Sequence, residues 1–450
     1  MSLEKNLNSV IEKTNLVEIY GLGYVGFPLA VRLGSNGINI VGIDTNSNRI
    51  ERLKNNELFD SELNLEKEFK NCRNKNKIEL SESPQQSSNS KIGIICVPTP
   101  IPNKNTKSDV YVVAAVETFL KNAKEGDLII LESSIEIGTT EKIEKMIESK
   151  GFIVGKNFGL CFCPERIDPA NKEWGVENIP RVIYCSDDVS YEIAKKIYEN
   201  VNKGNLLRVS THKVAEMVKS FENAFRLVNI SLVNELAVLC DSLGVNVKEI
   251  IDAASTKPFG FLAHYPGAGA GGHCIPKDPQ FLLDSAKNKE SSFESIEHAL
   301  KINDFMPKYI CDSIEKKLEE EKFEKVVLVC GLSYKANVED MRDSPSFKII
   351  QDLKKRGFEI YGFDSFFNME FKEKYLIENH ISELNFEYIK NIDDELLKKI
   401  SCLCVVQHHE IDKEKISDII KNGLVPIIYD CQNKIRKNST NKSEIMYLGN

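Results

Sequence analysis

The chain has 450 residues, 42% of them hydrophobic, and a formal net charge of -8 at pH 7, which predicts two or three domains and excludes a broad nucleic-acid groove or an anionic-membrane surface. Its 12 cysteines form no repeated CxxC pair and its 7 histidines no HExxH spacing, so buried reduced thiols and no metal site are expected. No apolar run reads as approaching the ~20 residues that cross a bilayer, and the polar start MSLEKNLNSVIEKTN has no signal-peptide core, which predicts a cytoplasmic protein without a membrane partner.

In chain order, 16–20 reads as a strand, followed by Gly21, Leu22, Gly23, Tyr24, Val25 and Gly26, a helical stretch to Leu33, and a second strand over 38–43 that ends at Asp44. Strand, glycine turn, helix, strand and an acid ~20 residues beyond the glycines form a dinucleotide-binding fingerprint in its required context. Gly21 permits the tight turn, Gly23 lets the backbone approach a pyrophosphate, and Gly26 lets helix and strand pack closely; the free amides of the helix start face the phosphates. A carboxylate at Asp44 accepts from a ribose 2′-hydroxyl and repels a 2′-phosphate, which favours NAD. Arg49 reads either as an adenine-ribose contact or as a solvated helix residue.

The polar stretch 71–90 reads as a mobile connection. Strands are predicted at 92–97 and 128–131, each ending in small or polar residues, and ligands of an open parallel sheet bind outside such ends, so Thr99 and Ser134 are placed to touch the cofactor. The apolar run 158–163 leads into Glu165 and Arg166, an ionisable pair that is either functional or a surface ion pair. Over 211–243, Val214, Met217, Val218, Phe221, Phe225, Val228, Leu232 and Leu236 recur at helical spacing, with Gly244 as a stop. Lys219 and Asn223, four apart on one face, are either solvent-facing or a buried functional pair.

The segment 267–279, GAGAGGHCIPKDP, sets Cys274 between a glycine run and the charged pair Lys277 and Asp278. Small side chains let the backbone pass close to a ligand, so Cys274 reads equally as a nucleophile at a turn or as an inert thiol. Past a charged stretch over 315–325, the last third repeats the strand, helix, strand, acid outline without its GxGxxG: Val326–Cys330, a helix over 346–356, and a strand over 360–363 ending at Asp364, with further runs at 402–406 and 425–429. His408 and His409, if in a strand, point to opposite faces.

GLGYVGFPLA at Gly21, VPTP at Val97, ESSIEIGTT at Glu132, PER at Pro164, KSFENAFR at Lys219, GGHCIPKDP at Gly271 and GLSYKANVEDMRDSP at Gly331 together resemble the UDP-glucose/GDP-mannose dehydrogenase family in order and spacing. The resemblance implies an α/β fold of two Rossmann-like doubly wound domains joined by a long central helix and a helical dimerisation domain: an NAD-binding domain over 1–207, a central domain carrying the cysteine loop over 208–310, and a UDP-binding domain over 311–450. It implies a homodimer that oxidises the C6 alcohol of a UDP-sugar to a carboxylate with NAD, through a thiohemiacetal and thioester on Cys274. By the same resemblance, Lys219 and Asn223 stabilise charge on the reacting oxygen, Asp278 partners water or lysine, and Glu165 is the acid/base of hydrolysis. Glu165, Arg166, Lys219, Asn223, Phe259, Tyr265, Gly271, Lys335 and Arg342 are implied at the substrate, although Arg342 also reads as a surface ion pair with Asp340 and Asp343. Ser134, Ile137, Ala170 and Ala336 depart from the family pattern without removing a chemical group.

The Gly271, Gly272, His273 form, with TKPFGF at Thr256, resembles the subgroup acting on UDP-N-acetylhexosamines. It places UDP-N-acetylglucosamine first, UDP-N-acetylmannosamine second and UDP-glucose third. A non-catalytic sensor of NAD and nucleotide sugars is the reading from another class.

Overall fold

Strands buried on both faces are the ones that form parallel sheets, and the apolar runs of this chain are buried in that way. The structure, a computed structural model, describes all residues except 1–2, 14, 85–90, 101–107, 167–172, 273, 288, 367–385 and 437, and for 60, 61 and 63 the backbone alone. Two compact units result, Met1–Phe221 and Glu222–Asn450.

In the first unit, β1 (Leu16–Tyr20), β2 (Asn39–Ile43), β3 (Ile78–Ser81), β4 (Lys91–Ile95), β5 (Leu128–Leu131), β6 (Gly159–Phe162), β7 (Arg181–Cys185) and β8 (Leu206–Arg208) form one sheet. Their order is β3-β2-β1-β4-β5-β6-β7-β8, parallel throughout except where β7 meets β6. The first six follow the doubly wound order, which reverses between β1 and β4 and opens a crevice at their carboxyl ends. Alternate residues feed the two faces: Val17 and Ile19 join the core with Leu29, Leu33 and Ile197, and Tyr20 joins the core with Phe119 and Phe158.

The second unit carries β9 (Val326–Cys330), β10 (Glu359–Phe363), β11 (Glu387–Tyr388), β12 (Cys402–Val405), β13 (Ile427–Asp430) and β14 (Glu444–Tyr447), all parallel, in the order β11-β10-β9-β12-β13-β14. This is the same winding as the first six strands. Gly21 donates its N–H to Ile43 O and Gly331 donates to Phe363 O, at 2.8 and 2.9 Å, both with positive φ. A Cβ at Gly21 would meet Cys96 O at 2.8 Å, and one at Gly331 would meet Gln407 Cβ at 2.6 Å, so each turn is closed to any larger residue. One face of the second sheet is covered by the helix Glu294–Glu321 and by Val233, Ala237 and Cys240 of the helix His212–Leu243.

Several expectations change. The stretch 71–90 is not simply a connection: the helix Glu66–Asn74 runs into it and β3 follows, an edge strand with Ile78 and Leu80 buried and Glu79 exposed, a pattern too short and polar to stand out. Residues 85–90 lie outside the described part. β7 and β8 were not anticipated. The charged run over 315–325 is largely the end of the helix Glu294–Glu321, laced by Lys325 to Glu315 at 2.7 Å and by Lys317 to Glu321 at 3.0 Å. The helix His212–Leu243 is, by length and composition alone, apolar enough to cross a membrane, contrary to the expectation from run length, because most of its charges fall in its first half and only Arg226 and Glu235 interrupt the stretch 223–240. Core helices meet the same criterion, and here Ser231 donates to Ala299 O at 2.8 Å.

Candidate active site

At the glycine turn, Gly26 has no room for a side chain, since a Cβ would fall 1.9 Å from Gly21 O. At Gly23 a Cβ would meet nothing within 4 Å, so the backbone there faces open space at the start of the helix Gly26–Ser35, as a pyrophosphate requires. Asp44 Oδ2 accepts from Leu22 N at 2.9 Å and Oδ1 from Asn46 N at 2.9 Å, which fixes the carboxylate beside the turn. Tyr24 is exposed, Val25 half-buried, Thr99 buried and Ser134 half-buried. These residues fit NAD.

Arg49 is not solvated. It is buried between Phe27 and Phe59, pairs with Glu62 at 2.5 Å, and donates from Nε to Leu22 O at 3.0 Å. Its hydrogen bonds brace the glycine turn from within, and the apolar Phe27 and Phe59 that bury it carry no sequence signature of that role.

Glu165 follows β6 and is held from β7. Arg181 Nη2 donates to Glu165 Oε2 at 2.9 Å, and the side chain of Glu165 keeps only 11% exposure, so Glu165 stands in a nearly buried ion pair with an arginine that no motif marked, and not in a pair at the surface. Arg166 N donates to Glu165 Oε1 at 2.6 Å, and Arg166 Nη1 donates to Pro180 O at 2.9 Å.

In the second unit the cysteine loop is clamped over its glycine-rich start. Gly267 N donates to Asn234 Oδ1 at 2.9 Å, while Asn303 exchanges two bonds with Ala270, at 2.6 and 3.0 Å. A Cβ at Gly271 would lie 2.6 Å from Asp343 O, and one at Gly272, with φ +81°, would lie 2.7 Å from the Tyr334 ring. These two glycines therefore admit the protein's own loop over 333–345, a correction to the expectation that they make room for a ligand. Gly272 N donates to Arg342 O at 3.0 Å.

Cys274 is the single exposed thiol of the twelve. Asp278 N donates to Cys274 O at 2.9 Å and opens the helix Asp278–Lys287. Asp278 is fully buried, and its Oδ2 accepts from Asn223 Nδ2 at 2.6 Å. Lys277 lies 3.6 Å from Asp278 Oδ1 and is also buried. Burial pushes the Lys277 ammonium below its usual range, with Asp278 and Cys274 pulling the other way. Lys277 was not among the predicted site residues; its signal was its place beside Asp278 in the loop. Lys219 is half-buried on the helix His212–Leu243.

Arg342 forms the anticipated ion pair with Asp340, at 2.6 Å, and Lys335 is half-buried. Phe259 and Tyr265 are exposed, and Tyr265 donates to Asp252 Oδ1 at 2.7 Å. Beyond the end of β12, His409 Nδ1 accepts from Asn337 N at 2.9 Å, so Nε2 carries the proton it offers to Asp364 Oδ2 at 3.1 Å. His408 Nε2 lies 2.7 Å from Asp430 Oδ1. The two histidines thus lie past the strand and grip acids at the ends of β10 and β13, lining the carboxyl edge where ligands of such sheets bind.

The family's NAD binding, central and UDP binding domains match residues 15–202, 213–305 and 328–437. A UDP-N-acetyl-D-mannosamine dehydrogenase of Methanococcus maripaludis is 34% identical over 461 residues, covering 100% of this chain and 99% of that protein. The chain belongs to the UDP-glucose/GDP-mannose dehydrogenase family. Protein CapL of Staphylococcus aureus is 35% identical over 76% of this chain and 80% of its own length. The solved UDP-D-ManNAc dehydrogenase of Pyrococcus horikoshii superposes with a TM-score of 0.83 at 27% identity, over 96% of this chain and 99% of that one. Membership makes this chain an NAD-dependent UDP-sugar dehydrogenase, with the glycine turn and Asp44 in its NAD-binding domain.

Proposed function

We propose that the enzyme oxidises UDP-N-acetyl-D-mannosamine at C6 to the uronate, as a cytoplasmic homodimer whose three parts are those expected over 1–207, 208–310 and 311–450. The observation that carries the covalent step is the single exposed thiol, Cys274, next to the buried Lys277 and Asp278. NAD, when bound, accepts hydride. Lys219 supplies an ammonium, and the Asn223 amide, oriented by Asp278, supplies an N–H toward the C6 oxygen as it gains negative charge. The C6 alcohol gives up a hydride and its hydroxyl proton to become the aldehyde, Cys274 Sγ adds to the aldehyde carbon as the thiol proton passes to the oxygen, and the thiohemiacetal loses a second hydride with its hydroxyl proton to become a thioester. Glu165 takes a proton from water, which attacks the thioester carbon, and the thiolate leaves Cys274 ready for another turn. Lys335 and Arg342 serve the nucleotide, and Arg166, Phe259 and Tyr265 the sugar end.

Relatives 33–34% identical and named UDP-N-acetyl-D-mannosamine dehydrogenases support this sugar ahead of UDP-N-acetylglucosamine, which the sequence form placed first. His273, on which that form turns, lies outside the described residues. Exposed Met217, Phe221, Phe225, Leu232, Leu239 and Leu243 on the long helix support the homodimer. The uronate would feed assembly of a cell-surface polysaccharide.

The test mixes the protein with NAD and each UDP-sugar in turn and follows absorbance of the reduced cofactor and the acid formed. UDP-N-acetylmannosamine should yield two reduced cofactors per acid. Failure to reduce NAD with any UDP-hexose or UDP-N-acetylhexosamine would leave only the sensor reading.

A further inference from the structure

Arg181 reaches from the antiparallel strand β7 and divides one guanidinium between two carboxyl groups. Nη2 donates to Glu165 Oε2 at 2.9 Å, while Nη1 stands 3.2 Å from Glu132 Oε1 and 3.9 Å from Cys163 Sγ. The guanidinium lies over the Tyr198 ring, 4.7 Å from its centroid, and Tyr198 Oη donates to Glu132 Oε1 at 2.5 Å. The acids are not equivalent. Glu165 keeps 11% of its side chain exposed and Glu132 none, and Glu132 Oε2 is buried with no hydrogen-bond partner among the described residues.

One guanidinium neutralises one carboxylate, and a second negative charge with an unsolvated oxygen is the costly one. Burial pushes Glu132 above the usual carboxylate range, and Glu165 adds to the rise while Arg181 opposes it. The other titratable groups facing it are Tyr198 from the helix Asp188–Glu199, and Cys96 and Cys163 from the strand ends, all held up chiefly by burial and so neutral.

We propose that Glu132 is held as the neutral acid, leaving Arg181 to position Glu165, and that ionisation of Glu132 as pH rises diverts the guanidinium and slows thioester hydrolysis. Glu132 and Arg181 are positioning residues, and the proposal rests on the reading of Glu165 as the base of hydrolysis. It gives the hydrolytic step an alkaline limit set inside the NAD-binding domain.

The test is a single-turnover reaction of the full-length enzyme with UDP-N-acetylmannosamine and NAD across pH, quenched and resolved into acyl-enzyme by intact mass and free acid by chromatography. Hydrolysis in the native enzyme should fall on the alkaline side, and Glu132→Gln, a permanently neutral isostere, should remove that fall. Tyr198→Phe, which removes a donor to the ionised form, should move it to higher pH. Arg181→Lys keeps the charge but not the fork and should slow hydrolysis roughly ten-fold or more at every pH, with KM values little changed. Superposable alkaline limbs in native, Glu132→Gln and Tyr198→Phe enzymes would overturn the proposal. Glu165→Gln separates the premises: normal hydrolysis in that variant removes the role of Glu165 itself, whereas slow hydrolysis there with an unmoved limb in Glu132→Gln refutes the shared guanidinium alone.

Discussion

The side-chain amide of Asn223 donates to Asp278 Oδ2 at 2.6 Å, tying the long helix to the first residue of the helix that follows the cysteine loop. Amide orientation is free unless a partner fixes it, and an acceptor-only carboxylate admits only the NH₂ group. Asp278→Asn, which can present either end, should therefore lower kcat by roughly ten-fold to a thousand-fold with little change in KM for NAD. Steady-state kinetics against both substrates check this, and a loss confined to KM would count against an oriented Asn223.

Cys274→Ser removes the nucleophile but keeps its size. Reduction of NAD should persist at a low level through the first oxidation or stop at a trapped intermediate, without uronate. Product analysis decides, and uronate formed at the native rate would exclude a thioester on this residue.

Gly272→Ala adds a Cβ at φ +81° that points into the Tyr334 ring. The backbone conformation alone costs about 1–3 kcal/mol, and the clash shifts the loop that carries Cys274. Lower thermal stability together with a slower covalent step is expected. Pairing it with Tyr334→Ala should recover more of the rate than of the stability, because the ring is removed and the positive φ is not.

Glu18 and Lys91 form a fully buried pair between β1 and β4, 3.0 Å apart, with Tyr20 donating to the same carboxylate oxygen at 2.8 Å. Lys91→Met strands Glu18 and should cost about 3–5 kcal/mol in urea unfolding, whereas Glu18→Gln with Lys91→Met should recover part of the loss.

Asp127 accepts from Lys91 N and Lys124 N, each at 2.9 Å, yet burial pushes its carboxyl up to about 6. Between the ordinary carboxylate value and about 6 the folded protein binds this proton more tightly than the unfolded chain does, so its contribution to stability is present below that window and is lost as pH rises through it. Unfolding free energies of native protein and Asp127→Asn, measured from pH 4 to 7, should differ in slope across that interval. Equal slopes would assign the pH dependence elsewhere.

Local pattern alone determined the NAD fingerprint, since Gly21, Gly23, Gly26 and Asp44 answer to a turn, a helix start and a strand end that are close in sequence. Seven ordered motifs likewise identified the family and the cysteine loop, because glycines and charged neighbours around one thiol are visible without a fold. Tertiary structure decided what depends on distant partners. Arg49, read as exposed or cofactor-facing, is buried against Glu62 and the glycine turn. Arg181 met no motif, and only the antiparallel β7 sets it between Glu132 and Glu165. The glycines before Cys274 were read as space for a ligand and instead admit Tyr334 and Asp343, residues more than 60 positions away. Backbone freedom and period are properties of a few neighbouring residues, whereas burial, pairing and proton affinity are set by what the fold brings alongside.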